Sequence, residues 1–498
     1  MARLLSVSRA AHVVGVPRAV IQKQIRNGEL TSFEGEVNFT ELTSLYPDTR
    51  FDNDDMPEKI EEIIANALRR ARYAKLTDLV TPDTATLAAR VSVLSKELSA
   101  SKIEVTKYER IIQLLKDHLA IASTQEPGEV QSFIVDLLAW MDSTILNLDT
   151  NDDKDIEALT YKDDFLRIMA AQVHIKPSNH EFFVEGKNSI LESGLSAGYA
   201  LDYGCSSGNC GKCKAKLVSG RTEKIKHHDY VLTEAEKAES TILMCSHTAT
   251  TDIELEAHEA GSEDDIPLQN ISAKVKKVEA AGSHVSVLTL KAPRTKRLRF
   301  FAGQSAELVF AGLPAVTLPI ASCPCDERYV QFHIHNNHNV IGDFVKNDLK
   351  TNDTIKITGP QGHFVLDEES YRSIILLAEN TGFAPVKSLI EHALTLEISE
   401  FIHLYWLANE DAGHYLSNHC RAWNDALDDF SYTPIETAST TTADDYKNYL
   451  FRLIKDHRDL MNIDFYLCGS ENLIDTAREF LLSQGVPEKQ IRAELAVE

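Results

Sequence analysis

No stretch of the 498 residues holds the roughly 20 consecutive apolar side chains that a bilayer-spanning helix needs. The first residues, MARLLSVSRAAHVVG, lack the uninterrupted apolar segment and small-residue cleavage site of a signal peptide, so a cytoplasmic protein without membrane association is expected. Acid is missing from residues 1–28, where Arg3, Arg9, Arg18, Lys23 and Arg26 are the only charged side chains, yet the whole chain carries a formal net charge of -24. That balance argues against nonspecific nucleic-acid binding by the body and leaves one small basic head. Phosphate-cradling Walker loops, H-E-x-x-H zinc helices and nucleophile elbows are absent too, which removes the common NTPase, metalloprotease and serine-hydrolase chemistries.

Cysteine is sparse, and four of the eight residues stand in one pattern. Residues 203–217 read YGCSSGNCGKCKAKL and residues 243–247 read LMCSH, giving C-x4-C-x2-C and a fourth cysteine about thirty residues later. Four thiolates at Cys205, Cys210, Cys213 and Cys245 would neutralise and hold two irons, with three donors on one loop and the fourth from a distant strand. Gly208 and Gly211 let that loop wrap closely and turn N–H groups toward sulfur. A zinc ribbon would need a second C-x2-C knuckle, which is missing. The remaining Cys323, Cys325, Cys420 and Cys468 read as free thiols, the C-P-C at 323–325 being too short and without partners for a metal site. The spacing, with the upstream FFVEGKNSILESGLSAGYALDYGC, resembles the plant-type [2Fe–2S] ferredoxins, which implies a β-grasp domain over 170–262.

Elsewhere the chain divides into unlike parts. Over 1–52, Ser6 is placed to cap a helix carrying Ala10, Ala11, Val13 and Val14; Gly15 makes a turn, and Pro17 takes the first position of a second helix. That helix turns Val20, Ile21 and Ile25 inward and Arg18, Gln22, Lys23 and Arg26 outward, and Gly28 stops it. With the hairpin-like GELTSFEGEVNFTEL that follows, the segment resembles the winged helix-turn-helix of MerR and excisionase-type proteins. The resemblance implies DNA contacts from Arg18, Gln22, Lys23 and Arg26; the plain alternative is a solvated helix face. Residues 53–150 read as helical. Leu87, Val91, Leu94, Leu98, Ser101, Val105, Tyr108, Ile112, Leu115 and Leu119 form an a/d seam, so a coiled coil over 87–119 is expected to join chains into a homo-oligomer. Covering of that seam by residues 128–147 of the same chain is the alternative.

Residues 268–498 resemble the ferredoxin–NADP reductase superfamily through LRFFAGQSAELVF, DTIKITGPQGHF, IILLAENTGFAPVKSLIEHAL and DFYLCGSENLIDTAREFLLSQGVPEKQI. With the ferredoxin domain placed first, the order is similar to the reductase components of multicomponent oxygenases. The resemblance implies a six-stranded flavin-type β-barrel over 268–366 and a doubly wound NAD(P)-binding-type domain over 367–498. The expected fold class is thus multidomain α+β and α/β, with winged helix-turn-helix, coiled coil, β-grasp ferredoxin, barrel and nucleotide-type domain in that order.

The cofactor positions depart from the superfamily's pattern. Its flavin motif R-x-[YF]-[ST] falls on Val316, Thr317, Leu318 and Pro319, just before Ile320, Ala321 and Ser322, and its second, G-x-x-[ST], ends on Gly342. G-G-T-G-x-A-P reads Glu379, Asn380, Thr381, Gly382, Phe383, Ala384, Pro385, and the late C-G-P reads Cys468, Gly469, Ser470. If flavin or nucleotide binds, Ile320, Ala321, Ser322, Thr381, Gly382, Pro385, Cys468 and Gly469 are the expected contacts. Loss of the phosphate arginine, the stacking aromatic and both hydroxyls predicts a reductase fold with weak or no FAD and NAD(P)H binding and no hydride chemistry. An unusual flavin pose on backbone groups stays open. The functional expectation is a redox-responsive electron-transfer or regulatory protein that self-associates, with DNA or a redox protein as partner. The alternative is an NAD(P)H-dependent FAD/[2Fe–2S] reductase supplying an oxygenase, and the flavin contacts decide whether the protein is an enzyme.

Overall fold

The computed structural model describes residues 4–33, 36–46 and 169–496, apart from a few short loop gaps, with isolated positions between 108 and 139. Most of the 53–150 region expected to be helical, including almost all of the 87–119 seam, lies outside the described residues. Four seam positions are described, Tyr108, Ile112, Leu115 and Leu119; all are helical, the first three exposed and Leu119 half-buried. Among the described residues, no helix is long and apolar enough to cross a membrane.

At the N-terminus, Leu4–Ser6, Glu36–Asn38 and Ser32–Phe33 make an antiparallel sheet beside the helices Val7–Val14 and Arg18–Arg26. Ser6 Oγ accepts the N–H of Arg9, and Gly15 ends the first helix at φ 77°, a conformation glycine reaches without strain. Pro17 stands one residue earlier than expected, at the cap of the second helix instead of inside it. Leu5, Ala10, Val13, Ile21, Leu30, Val37 and Leu42 close the small core.

The next sheet runs His180–Glu185, Ala170–Lys176, Ile253–Glu256, Lys214–Ser219, Thr241–Leu243, with only the Ala170–Lys176 and Ile253–Glu256 pair parallel. Helix Ile190–Ser196 packs across it, started by reciprocal Ser189 and Glu192 caps. Gly194 is required at the crossing, because a Cβ there would stand 2.5 Å from Leu201.

A six-stranded antiparallel sheet follows, in the order Val316–Pro319, Ser305–Val309, Thr354–Gln361, Gln269–Ala281, Val285–Lys291, Tyr329–His335. An Ile320–Phe332 bridge joins its two edges and closes the barrel around Leu288, Leu290, Leu308, Phe310 and Phe332. The last sheet is wholly parallel: Phe430–Glu436, Ile402–Ala408, Ser373–Glu379, Ile463–Gly469, Ile491–Leu495. Its central strands are continuous apolar runs because helices cover both faces. Strand order reverses between Ser373–Glu379 and Ile463–Gly469, the crevice where open α/β sheets bind ligands.

Candidate iron–sulfur and nucleotide sites

Pairing of Lys214 with Leu243 sets the cluster site, since it places Cys213 at one strand's start beside Cys245, one turn past the other's end. The Cys213 carbonyl takes the N–H of Met244 at 2.9 Å, locking the two segments together. Cys205 and Cys210 sit on the intervening loop, which bends through positive φ at Ser206 (50°), Gly208 (84°) and Gly211 (76°). Asn209 N donates to Cys205 Sγ at 3.3 Å and Cys205 N to Cys210 Sγ at 3.4 Å. A hydrogen bond with Cys213 and one from the Gly208 N–H, helped by Lys226, outweigh burial and bring the Cys245 thiol down to about 6. Burial raises Cys205, but donors at Ser207, Cys210 and Asn209 prevail and lower it to about 7. Three of the four thiols are buried, whereas Cys210 faces solvent. Backbone N–H groups aimed at sulfur around four gathered thiols fit a thiolate-ligated [2Fe–2S] centre.

The switch point of the parallel sheet is occupied by the chain's own groups. The Glu379 carboxylate accepts the Ser470 N–H at 2.8 Å and the Tyr446 hydroxyl at 2.5 Å. Ser470 in turn caps helix Glu471–Ser483. Gly382 presses its backbone onto the next strand, where a Cβ would lie 2.5 Å from the Cys468 carbonyl. Thr381, Gly382, Pro385, Cys468 and Gly469 are thus gathered here and all buried. Phe383 stacks on Trp406 with ring centres 4.0 Å apart, and Tyr415 stands edge-on to both. Tyr415 Oη meets Nδ1 of the barrel residue His333 at 2.9 Å, and burial holds that imidazole down at about 3, so it stays neutral. Burial also raises the Cys468 thiol far above its ordinary range.

Ile320, Ala321 and Ser322 form the joint between barrel and nucleotide-type domain. The N–H groups of Ile320 and Ala321 bond to Gln304 and Gln331. The Ala321 carbonyl takes Lys387 Nζ at 3.1 Å and the Ser322 carbonyl takes Ser388 Oγ at 2.7 Å. Val316, Thr317, Leu318 and Pro319 pair along Ser305–Leu308 and present neither a cation nor an aromatic ring. The residues at the flavin positions therefore do not match flavin pyrophosphate recognition by side chains.

The four residues expected to read DNA are placed mostly against the chain's own acids. Lys23 Nζ lies 2.6 Å from Glu400, Arg26 lies 3.9 Å from the same carboxylate and over the Tyr371 ring, and the Arg18 N–H donates to Glu397. Gln22 is half-buried. Attraction of opposite charge thus turns this face toward the nucleotide-type domain. On its other side Arg9 pairs with Asp252 of the ferredoxin domain at 2.9 Å.

Two cysteines behave differently from expectation: Cys323 and Cys325 are joined by a disulfide, and His392 lies beside them. The sequence offered no sign of this partner, 69 residues downstream. Tyr446 and Ser470, which engage Glu379 from 67 and 91 residues away, were equally invisible to motif reading.

Residues 173–250 match the 2Fe-2S iron-sulfur cluster binding domain family, and residues 376–479 match the oxidoreductase NAD-binding domain family. The second match runs against the expectation that nicotinamide binding is lost. The chain is 30% identical over 325 residues to the CDP-6-deoxy-L-threo-D-glycero-4-hexulose-3-dehydrase reductase of Yersinia pseudotuberculosis, covering 65% of this chain and 97% of that protein. It is 27% identical to the terephthalate 1,2-dioxygenase reductase component 1 of a Comamonas species, covering 66% and 97%. Among solved structures, an Amycolatopsis cytochrome P450 reductase superposes with a TM-score of 0.40 at 21% identity, covering 65% of this chain and 98% of that one. Through this collinear match, over about two thirds of its length, the chain belongs to the family of reductases that fuse a [2Fe–2S] ferredoxin domain to an oxidoreductase NAD-binding domain.

Proposed function

We propose that the protein is an NAD(P)H-dependent [2Fe–2S] reductase that hands electrons singly to a separate oxygenase or dehydrase component. The observation that carries this reading is the 30% identity along 97% of a hexulose-dehydrase reductase, over the part of this chain that holds its 2Fe-2S and NAD-binding family matches. Cys205, Cys210, Cys213 and Cys245 are the assigned ligands, and the cluster supplies one-electron chemistry. The loop N–H groups stabilise thiolate charge, and exposed Cys210 marks the edge a partner would approach. Thr381, Gly382, Pro385, Cys468 and Gly469 are assigned to the nicotinamide nucleotide, at the strand-order switch point. Because NAD(P)H gives up a hydride and the cluster takes single electrons, this reading requires a flavin between them, held by groups other than the Ile320–Ser322 backbone atoms already bonded to Gln304, Gln331, Lys387 and Ser388.

A second reading is favoured by a specific observation: the Glu379 carboxylate and the Phe383–Trp406–Tyr415 stack fill the nucleotide crevice. In it the reductase half is a scaffold for a redox-responsive protein that self-associates through 87–119. The exposed Tyr108, Ile112 and Leu115 supply an apolar stripe for that contact. The division into 1–52, 53–150, 170–262, 268–366 and 367–498 belongs to both readings.

Anaerobic purification with iron, acid-labile sulfide and flavin counted per chain separates them. The reductase reading expects two irons, FAD bound or taken up on addition, and NADH- or NADPH-driven reduction of an artificial acceptor. A full iron complement that takes up no FAD and shows no such turnover overturns it in favour of the scaffold.

A further inference from the structure

The Cys323–Cys325 disulfide closes a loop of only three residues. Cross-links stabilise chiefly by restraining the unfolded chain, and the effect shrinks with loop size, so this one contributes little as a staple. The same chain must keep Cys205, Cys210, Cys213 and Cys245 as thiols to hold a cluster, which places it where structural disulfides do not ordinarily persist. A disulfide of little structural use in reducing surroundings calls for a chemical role.

The surroundings are built for sulfur chemistry. His392, 1% exposed, directs Nδ1 at Cys323 Sγ from 3.8 Å while Nε2 meets Glu368 at 3.0 Å. The carboxylate fixes the ring with its N–H on Nε2 and leaves the Nδ1 lone pair facing sulfur. The Cys325 N–H points at Cys323 Sγ at 3.2 Å, and the Thr395 hydroxyl lies 3.5 Å from Cys325 Sγ. The Cys325 N–H is thus a donor able to stabilise a thiolate on Cys323, whereas the Thr395 hydroxyl donates its proton to the Glu391 carbonyl at 2.8 Å and only flanks Cys325. Cys323 is buried, whereas Cys325 is half-exposed and open to an incoming thiol.

The pair also sits at a joint. Cys323 directly follows Ser322, whose carbonyl is bound by Ser388, and helix Phe383–Leu396 supplies Ser388, His392 and Thr395 to the loop. On its other side His392 abuts Gly198 of the ferredoxin domain, where a Cβ would come within 3.2 Å of the imidazole. Barrel, nucleotide-type domain and ferredoxin domain all meet within one side chain of these sulfurs.

The geometry points to Cys323 and Cys325 as a redox-active dithiol–disulfide pair, with His392 as its proton acceptor and small-molecule thiols of the glutathione class as its exchange partners. In the oxidising direction the Cys325 thiolate attacks a small-molecule disulfide, forming a mixed disulfide and releasing one small thiol. His392 Nδ1 takes the Cys323 proton, and that thiolate attacks the Cys325 sulfur. The Cys323–Cys325 bond forms, the mixed bond breaks, and the second small thiol leaves with the electron pair and a proton. The net change is dithiol plus small disulfide to protein disulfide plus two small thiols. The reverse sequence reduces the pair.

The full-length protein is equilibrated in glutathione buffers of graded ratio, quenched in acid, alkylated and peptide-mapped, so that the pair is read separately from the cluster cysteines. Interconversion of the 323–325 peptide between two alkylated thiols and none is the expected result. Cys323→Ser should accumulate glutathione on Cys325, for want of the thiol that resolves it. His392→Gln, with iron content unchanged, should slow that resolution by at least about tenfold. A pair that stays reduced, or stays oxidised, across the whole range overturns the proposal. So does one equivalent of zinc per chain that protects both thiols from alkylation. None of these readouts depends on NAD(P)H turnover, so the outcome stands whichever functional reading holds.

Discussion

Replacing Glu379 by Gln removes one negative charge from the mouth of the nucleotide crevice while keeping its hydrogen bonds. The amide oxygen can accept the Ser470 N–H, and the NH2 can donate to the Tyr446 hydroxyl, which accepts as readily as it donates. The change is therefore nearly isosteric, and the fold is expected to survive. A dinucleotide pyrophosphate seated at the switch point would meet this carboxylate as a like charge, and one such pair separated by about 7 Å at an effective dielectric of about 20 costs about 2 kcal/mol. Screening by salt reduces this to roughly 1–2 kcal/mol at physiological ionic strength, equivalent to about a tenfold or greater change in Kd. NADH affinity, followed by nicotinamide fluorescence or calorimetry, is thus expected to tighten about tenfold in Glu379→Gln. The gain should shrink at high salt. Unchanged or weaker binding by a variant with normal iron content would refute the claim that Glu379 opposes the pyrophosphate.

Cys245→Ser should abolish the visible iron–sulfur absorption and leave the protein with little bound iron, read by spectrum and iron assay, because Cys245 is the only proposed ligand outside the loop. Asp252→Ala leaves the buried Arg9 guanidinium without its carboxylate; with Asp252 itself partly exposed, a loss of about 2 kcal/mol in urea unfolding of the N-terminal module is expected. Burial holds His333 at about 3 and His403 at about 4, below the ordinary 6.5, so the unfolded chain binds more protons between those values and 6.5. Stability is therefore complete above pH about 6.5 and falls as pH drops through the window, by at most about 1.4 kcal/mol per pH unit for each imidazole. Thermal melts from pH 7 to pH 5 (about one and a half units below the imidazole's usual value) check this, and His333→Gln should flatten the slope.

Sequence reading worked where information is local. Cysteine spacing pointed to a loop inside the 173–250 match because three of the four proposed ligands fall within nine residues of one another and the fourth is carried in by a neighbouring strand. The parallel sheet was expected through the resemblance to the ferredoxin–NADP reductase superfamily, and strands such as Ile374–Ala378, apolar and buried on both faces, fit it. Contacts between domains were not legible. Lys23 finds Glu400 at a separation of 377 residues, and nothing around Lys23 distinguishes a docking helix from a DNA-reading one. Cys323 and Cys325 looked like idle thiols because His392, held in turn by Glu368, is brought to Cys323 only by the packing of the nucleotide-type domain against the barrel. Substitution at a motif position said what was lost, as at Glu379, but not that the new side chain had acquired two partners of its own.

The N-terminal helices grip the ferredoxin domain through Arg9–Asp252 and the nucleotide-type domain through Lys23–Glu400. Contacts at both ends make these helices a bridge between the ferredoxin domain and the nucleotide-type domain, its Arg9 end buried and its Lys23 end half-exposed. Under the proposed reductase reading, an acceptor would approach a ferredoxin domain that these helices already engage at Asp252.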